Sequence, residues 1–372
     1  MRRSKERHVV IVGGGIMGCA AAYELCRRGV PVTVLERAVP GAEASSAAAG
    51  ILGAQVEAHA PGPLSELGLR SRALFPGLVR ALERDAAVQI EYRRCGVLKV
   101  AFTKQQLQAL RRQHAWQARA GLPLQELGRK QLWELEPALS KSALGALRFE
   151  DDAVVDPRAL LRALRIAAER RGVKFRSGCV VQRIEEEAGR ASGVELDDGS
   201  SVRASHVVLA AGSWTSLLWP EARGGPRIVP ARGQMIEIAT SVPLVAAILF
   251  GPDCYCVPRA DGRLLIGSTL EFVGFRRGVT AGAVARLLAA AIQLLPAAAD
   301  AELCSTWSSF RPYTIDELPL LGPSRLPGLI VMSGHYRNGI LLAPISARIV
   351  RNAVLGERPS LSLEPFRPER VL

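Results

Sequence analysis

Three glycines, Gly13, Gly15 and Gly18, are followed 18 residues after the last by Glu36, the residue types and spacing of a dinucleotide cradle. In that reading Gly13 permits a sharp strand-to-helix turn, and Gly15 lets the backbone approach a pyrophosphate. Gly18 lets the helix press against the strand. The helix start then offers unpaired N–H groups and a positive dipole end to the phosphates. Glu36 can accept hydrogen bonds from both ribose hydroxyls, while its charge repels a 2′-phosphate. Glycines alone also suit an ordinary tight turn; the flanking strand, the helix and the acidic residue favour the nucleotide. Spacing leaves the dinucleotide open. After the second strand comes Ala44-Ser45-Ser46-Ala47-Ala48-Ala49-Gly50, small residues where backbone could lie against a flat ring. The next apolar, glycine-ended strand arrives only near residue 207. That layout favours FAD over a nicotinamide.

Metal chemistry has no comparable support. The five histidines (His8, His59, His114, His206, His335) form no HxH or HExxH pattern. Cys254 and Cys256 are not joined by a second pair of soft ligands. In a strand both would face the same side, which suits packing better than zinc. No metal is expected. Seven cysteines without a CxxC pair or regular spacing read as free thiols in a reducing compartment.

The elements that must position the cradle can be read from periodicity. Val9–Val12 is a continuous apolar run ended by glycine, as in a buried parallel strand. Helical spacing follows over 16–28 with Gly29 as its stop, then a second strand over 31–35. Helices are expected over 63–84, 104–120 and 129–136, and from Asp156-Pro157 to about Arg171, with Asp as cap and Pro in the first turn. Strands are expected at 95–102, 173–176, 179–185, 192–196, 201–204 and from Val207. Residues 227–275 are strand-rich (232–239, 245–250, 254–259 and 263–269). A helix over 281–295, a strand over 328–333 and a helix from Gly339 to Leu355 close the chain. The fold class is α/β: one parallel sheet assembled from distant segments, plus an α+β region with an antiparallel sheet. The expected division places a discontinuous FAD-binding unit at 1–90, 150–220 and 320–372. A substrate-binding unit takes 91–149 and 221–319.

The 372 residues carry 48% hydrophobic and 22% charged residues, a globular composition that excludes disordered and repeat classes. Net charge is +13, and 42 of the 48 basic residues are Arg. They are spread along the chain with no stripe of aromatics beside them, so no nucleic-acid partner is expected. The opening Met1–Arg7 cluster reads as a solvated tail. The longest apolar stretch, 279–302, contains Arg286, Gln293 and Pro296, so no integral membrane segment is expected. No secretory signal is apparent, and a cytoplasmic location is expected.

Beyond the cradle, four regions carry a family resemblance: VVIVGGGIMG at 9–18, SSAAAGILGA at 45–54, CYCVPRADGRLLIGST at 254–269 with FRPYTIDELPLLG at 310–322, and SGHYRNGILLAP at 333–344. They span nearly the whole chain, in which it resembles the D-amino-acid-oxidase-like flavoproteins with a glutathione-reductase-like FAD fold, most closely the glycine oxidases of thiamine biosynthesis. The resemblance implies that Ile16 and Met17 meet the pyrophosphate by backbone, and Glu36 and Arg37 the adenosine. Val181 would meet the adenine by backbone. Ser45, Ser46, Ala49, Gly50, Ile51 and Gly212 would lie along the cofactor. The loop His335, Tyr336, Arg337, Asn338, Gly339, Ile340 and Leu341 would close over the isoalloxazine.

By the same resemblance Arg311 holds the substrate carboxylate, since its planar fork can donate two parallel hydrogen bonds. Arg337 is the second cation, and Tyr255 a hydroxyl donor to the same carboxylate. A structural ion pair is the competing reading for each. The implied chemistry is hydride transfer from a small amino acid's α-carbon to flavin N5, leaving an imine that water hydrolyses, with O2 reoxidising the flavin to give H2O2. Arg311 and Pro312 stand before Tyr313-Thr314 where covalently flavinylated relatives place a Cys, so FAD should be noncovalent. Asp253 and the strand end Ser268-Thr269-Leu270 depart from the pattern or fix a choice within it, and are expected to border the substrate pocket. Relatives form homotetramers, which points to a homo-oligomer. Two other readings stay open here: a D-amino-acid or sarcosine dehydrogenase passing electrons to a quinone or carrier protein, and a flavoprotein module with structural FAD or an RNA partner.

Overall fold

The computed structural model describes residues 7–219 and 228–371. Residues 1–6 of the tail expected at 1–7, and the first residue of the strand-rich region, lie outside them.

The apolar runs become the centre of a six-stranded sheet. Its strands are β1 (Val9–Val12), β2 (Val32–Glu36), β3 (Lys174–Ser177), β4 (His206–Leu209), β5 (Leu320–Pro323) and β6 (Leu329–Ser333). Their order is β5-β6-β4-β1-β2-β3, all parallel except β5, which runs antiparallel to β6. β1 is buried along its whole length, as a strand covered on both faces must be. Helix α1 (Ile16–Cys26) follows β1, and α2 (Gly339–Leu355) packs against α1 and brings its own N-terminus beside it. The first β-α-β unit and the return of the chain to β4 and β6 are as the apolar runs predict.

A second, eight-stranded sheet is almost wholly antiparallel. It runs Glu302–Tyr313, Val229–Ala239, Arg263–Gly267, Tyr255–Pro258, Ile248–Phe250, Val97–Ala101, Gly145–Phe149, Gln125–Gly128. Only the Ile248–Phe250 and Val97–Ala101 neighbours are parallel. Cys254 and Cys256 are both buried in the core of this sheet, and no cluster of three or more potential metal ligands occurs among the described residues. No helix among the described residues is long and apolar enough to cross a membrane.

Several elements differ from the sequence reading, which expects no strand at Gln125–Gly128, Gly145–Phe149, Ala153–Val155 or Leu320–Pro323. The helix expected over 63–84 is two helices, Pro63–Arg72 and Phe75–Ala86. Pro76 has no N–H to give the Arg72 carbonyl, so the chain re-caps there. The longest strand, Glu302–Tyr313, was not anticipated. It pairs along its length with Val229–Ala239 and sets Arg311 opposite Ala231.

Candidate active site

A cavity of about 450 Å³ runs from the β1–α1 turn to the edge of the eight-stranded sheet. At the turn, Gly13 adopts φ +108°, and a Cβ there would meet the Ala210 carbonyl oxygen at 2.5 Å. A Cβ at Gly15 would meet only Ser45 Oγ, at 3.1 Å, so the backbone faces the cavity unobstructed. No side chain caps α1 in the usual way; instead Ile16 N–H donates to Ser45 Oγ at 2.8 Å. A helix start left this open, with bare backbone beside it, is a seat for a diphosphate. Glu36 Oε2 accepts from Gly14 N–H at 2.7 Å and Oε1 from Ala38 N–H at 2.9 Å. These bonds fix the carboxylate at the cavity wall and leave lone pairs for a diol. Arg37 lies 3.6 Å over the Trp214 ring and pairs with Glu43 at 2.6 Å. Val181 and Gly212 close the same end.

The small-residue run is bound on both sides. Trp307 Nε1 donates to the Ala47 carbonyl, and the buried Arg259 donates to that of Ala49, each at 2.9 Å. Ala49, Gly50 and Ile51 are thereby held along the cavity. His335, Tyr336, Gly339 and Ile340 line the opposite wall at the start of α2.

Arg311, Tyr255 and Arg337 meet in the cavity's far end. Arg311 lies flat over Gly233, where a Cβ would fall 2.2 Å from its Nη2. Its Nη2 donates to Ser268 Oγ at 2.6 Å and its Nη1 to the Thr269 carbonyl at 3.1 Å. No carboxylate pairs with it among the described residues. The competing structural ion pair is therefore absent for Arg311. Tyr255 donates its hydroxyl to Met235 Sδ at 3.0 Å, a weak acceptor that an oxygen anion would displace. Arg337 stands solvent-accessible at the mouth, beside Tyr336. Tyr336 meets Tyr313 edge-on at 5.0 Å, and Tyr313 meets Phe272 the same way, forming an aromatic wall.

Several expected contacts fall elsewhere. Gly18 is behind the cradle, packed on Gly13. Ser46 turns to a small separate cleft, and its carbonyl accepts from Arg158 Nε at 3.2 Å. Leu341 points into the core, and Asn338 does not reach the cavity. Asp253 and Leu270 are exposed and also lie off it, whereas Ser268, from the same expected strand end, lines it. Sequence reasoning missed Gly233 and Glu57, which share the wall with Arg311.

His335 is buried, with Nε2 2.9 Å from Ser346 Oγ, and burial lowers its pKa from 6.5 to about 3. The folded chain therefore holds it neutral, whereas the unfolded chain binds a proton below about pH 6.5. Its contribution to stability is present above that pH and is lost as pH falls toward 3. The slope can reach about 1.4 kcal/mol per pH unit. Urea unfolding between about pH 4 and 7 should show this slope in the wild type and a shallower one in His335→Asn. Equal slopes would refute it.

A family model described as FAD dependent oxidoreductase (DAO) matches residues 8–353. The chain belongs to this family. It is 38% identical over 363 residues to the glycine oxidase of Geobacillus kaustophilus (strain HTA426), covering 96% of this chain and 95% of that one. It is 36% identical to the bifunctional protein ThiO/ThiG of Trichormus variabilis (strain ATCC 29413 / PCC 7937), over 98% of this chain but only 55% of that longer protein. The crystal structure of the Geobacillus kaustophilus glycine oxidase superposes with a TM-score of 0.93 at 37% identity, covering 98% of this chain and all of that one. The α/β fold with its second, antiparallel sheet is thus the fold of this family, and FAD is the family's cofactor.

Proposed function

We propose that this chain oxidatively deaminates glycine or another small primary or secondary amino acid, with O2 as acceptor and H2O2 as product. We place it in the cytoplasm, serving thiamine biosynthesis, the setting of the relatives its sequence resembles. The observation that carries the reading is the Arg311 guanidinium, with no carboxylate partner among the described residues, in the same cavity as the open cradle at Gly15. The glycine oxidase names of similar proteins support the substrate class, and the seven free thiols support a reducing compartment.

In this reading Gly13, Gly15, Ile16, Met17, Glu36, Arg37, Val181 and Gly212 hold the nucleotide end of a noncovalent FAD. Ser45, Ala49, Gly50, Ile51, His335, Tyr336, Gly339 and Ile340 hold the flavin end. The cofactor unit is 1–90, 150–220 and 320–372, and 91–149 with 221–319 forms the substrate unit. FAD, when bound, supplies the two-electron acceptor for the hydride of the substrate's Cα. The chain's own part is placement. Arg311 grips the carboxylate with its fork, Tyr255 adds a hydroxyl bond, and Arg337 closes the mouth electrostatically. With the carboxylate fixed, the Cα–H has one orientation, and such alignment supplies much of the rate.

An anaerobic bleaching screen against glycine, sarcosine, D-alanine and D-proline tests this, with oxygen consumption measured in parallel. Flavin reduction by at least one small amino acid and peroxide release on aeration are expected. A protein that takes up no FAD, or a flavin that none of them bleaches, refutes it. Bleaching without oxygen uptake would instead place the electrons on a quinone or carrier protein.

A further inference from the structure

Glu57 lines the cavity together with Arg311 and Arg337, and its carboxylate forms no hydrogen bond or ion pair among the described residues. Its backbone, by contrast, is pinned. The buried Asp152 carboxylate accepts the N–H groups of Gln55 at 3.2 Å and Val56 at 2.8 Å, and itself binds Arg72. The buried Gln113 donates to the carbonyls of Gln55, Val56 and Ala58, and Gln117 donates to that of Gln55. Three polar side chains removed from water thus fix a short loop whose one charged side chain faces the cavity without a partner.

A carboxylate facing two guanidiniums across a small cavity is the electrostatic complement of a zwitterion. The substrate's carboxylate goes to the cations, and its cationic nitrogen goes to the anion. We propose that Glu57 seats the substrate's amino group and accepts the proton this nitrogen must lose before hydride leaves Cα. In this step an N–H bond of the ammonium breaks and an O–H bond forms on Glu57. A charged pair becomes a neutral amine and a neutral acid, and no electrons are transferred. The inference rests on the amino acid oxidase reading above.

The surroundings suit a base of this kind. Burial raises the Glu57 pKa and Glu317 adds to that, while Arg337, Arg311 and Lys99 oppose it, with a net upward shift. Lys99 donates to Gln113 Oε1 at 3.0 Å, and burial lowers its own pKa. His59, beside Lys99, Glu317 and Arg337, is likewise pushed down by burial. A carboxylate with an elevated pKa retains a proton more readily than a solvated one, as proton acceptance requires.

Glu57→Gln keeps the shape and removes the charge. In the FAD-loaded variant, KM for glycine should rise about tenfold or more, the scale of a lost charged hydrogen bond. In the wild type kcat/KM should fall as pH drops through the Glu57 ionisation, and in the variant that limb should be absent. Acetate, which lacks the nitrogen, should bind the variant as well as or better than the wild type, read as a perturbation of the flavin absorbance. Unchanged glycine kinetics with the acid limb retained would overturn the assignment. So would equal losses for glycine and acetate, which would mark a merely structural residue. If the wild type binds acetate but no amino acid reduces its flavin, the oxidase reading itself fails, a result distinct from either of these.

Discussion

Arg311→Ala should lower kcat/KM for the preferred amino acid by about a hundred- to a thousandfold while yellow FAD stays bound. The magnitude follows from removing one side of a hydrogen-bonded charge pair in a partly desolvated site, about 3–4 kcal/mol. Arg311 is well placed for a loss of that size because its position is already fixed. Ser268 Oγ and the Thr269 carbonyl each take one N–H, and Gly233 leaves the face of the guanidinium flush with the backbone. Little orientation remains to be imposed when a carboxylate arrives. Because Arg311 makes no contact that holds α1 or the small-residue run, the cofactor should survive its loss. Steady-state kinetics with a flavin absorbance spectrum decide the point. Full turnover in the variant rejects the carboxylate role, and a colourless variant shows that Arg311 maintains the cofactor site instead. Arg311→Lys gives the finer measurement: it restores the charge without the fork, so recovery should be partial.

The parts of this molecule that could be read in advance are those where one local constraint dominates. Val9–Val12, Val32–Glu36 and Leu329–Ser333 are buried on both faces, so their side chains have no alternation to blur, and glycine marks the ends of the first and last. The Glu302–Tyr313 strand was invisible for the opposite reason. Its first five residues are exposed, only Phe310 is buried, and Ser and Thr fill much of it, so neither period 2 nor an apolar run stands out. It forms through pairing with Val229–Ala239, whose partner lies about 70 residues away in the chain. The site divides in the same way. The Gly13–Gly18 cradle is local and legible. Glu57 is one acidic residue between Val56 and Ala58, and only the tertiary clamp from Asp152 and Gln113 turns it toward the two arginines. Gly233 had no signal either, since its requirement comes from a side chain 78 residues further along the chain.

Among stability changes, Gly18→Ala should be the most damaging single methyl in the cradle. A Cβ there would stand 1.9 Å from the Gly13 carbonyl oxygen and 3.1 Å from its carbon, with Ile11 Cγ2 at 3.3 Å. The two nearest of these atoms are backbone, so no rotamer change relieves the contact. Either α1 lifts from β1, opening a core that includes Ala21, Ala22 and Leu25, or the Gly13 turn opens and the diphosphate seat is lost. Overpacking against rigid backbone belongs to the rare class that costs more than about 4 kcal/mol, enough to leave the recovered protein unable to bind FAD. Gly29→Ala provides the calibration. Gly29 has φ +69° but nothing within 4 Å of its would-be Cβ, so that change should cost only the left-handed backbone penalty of about 1–2 kcal/mol. Thermal unfolding and FAD titration of the two variants separate steric exclusion from backbone strain. If Gly18→Ala lost no more stability than Gly29→Ala and bound FAD normally, the close helix–strand contact would not be what requires glycine at that position.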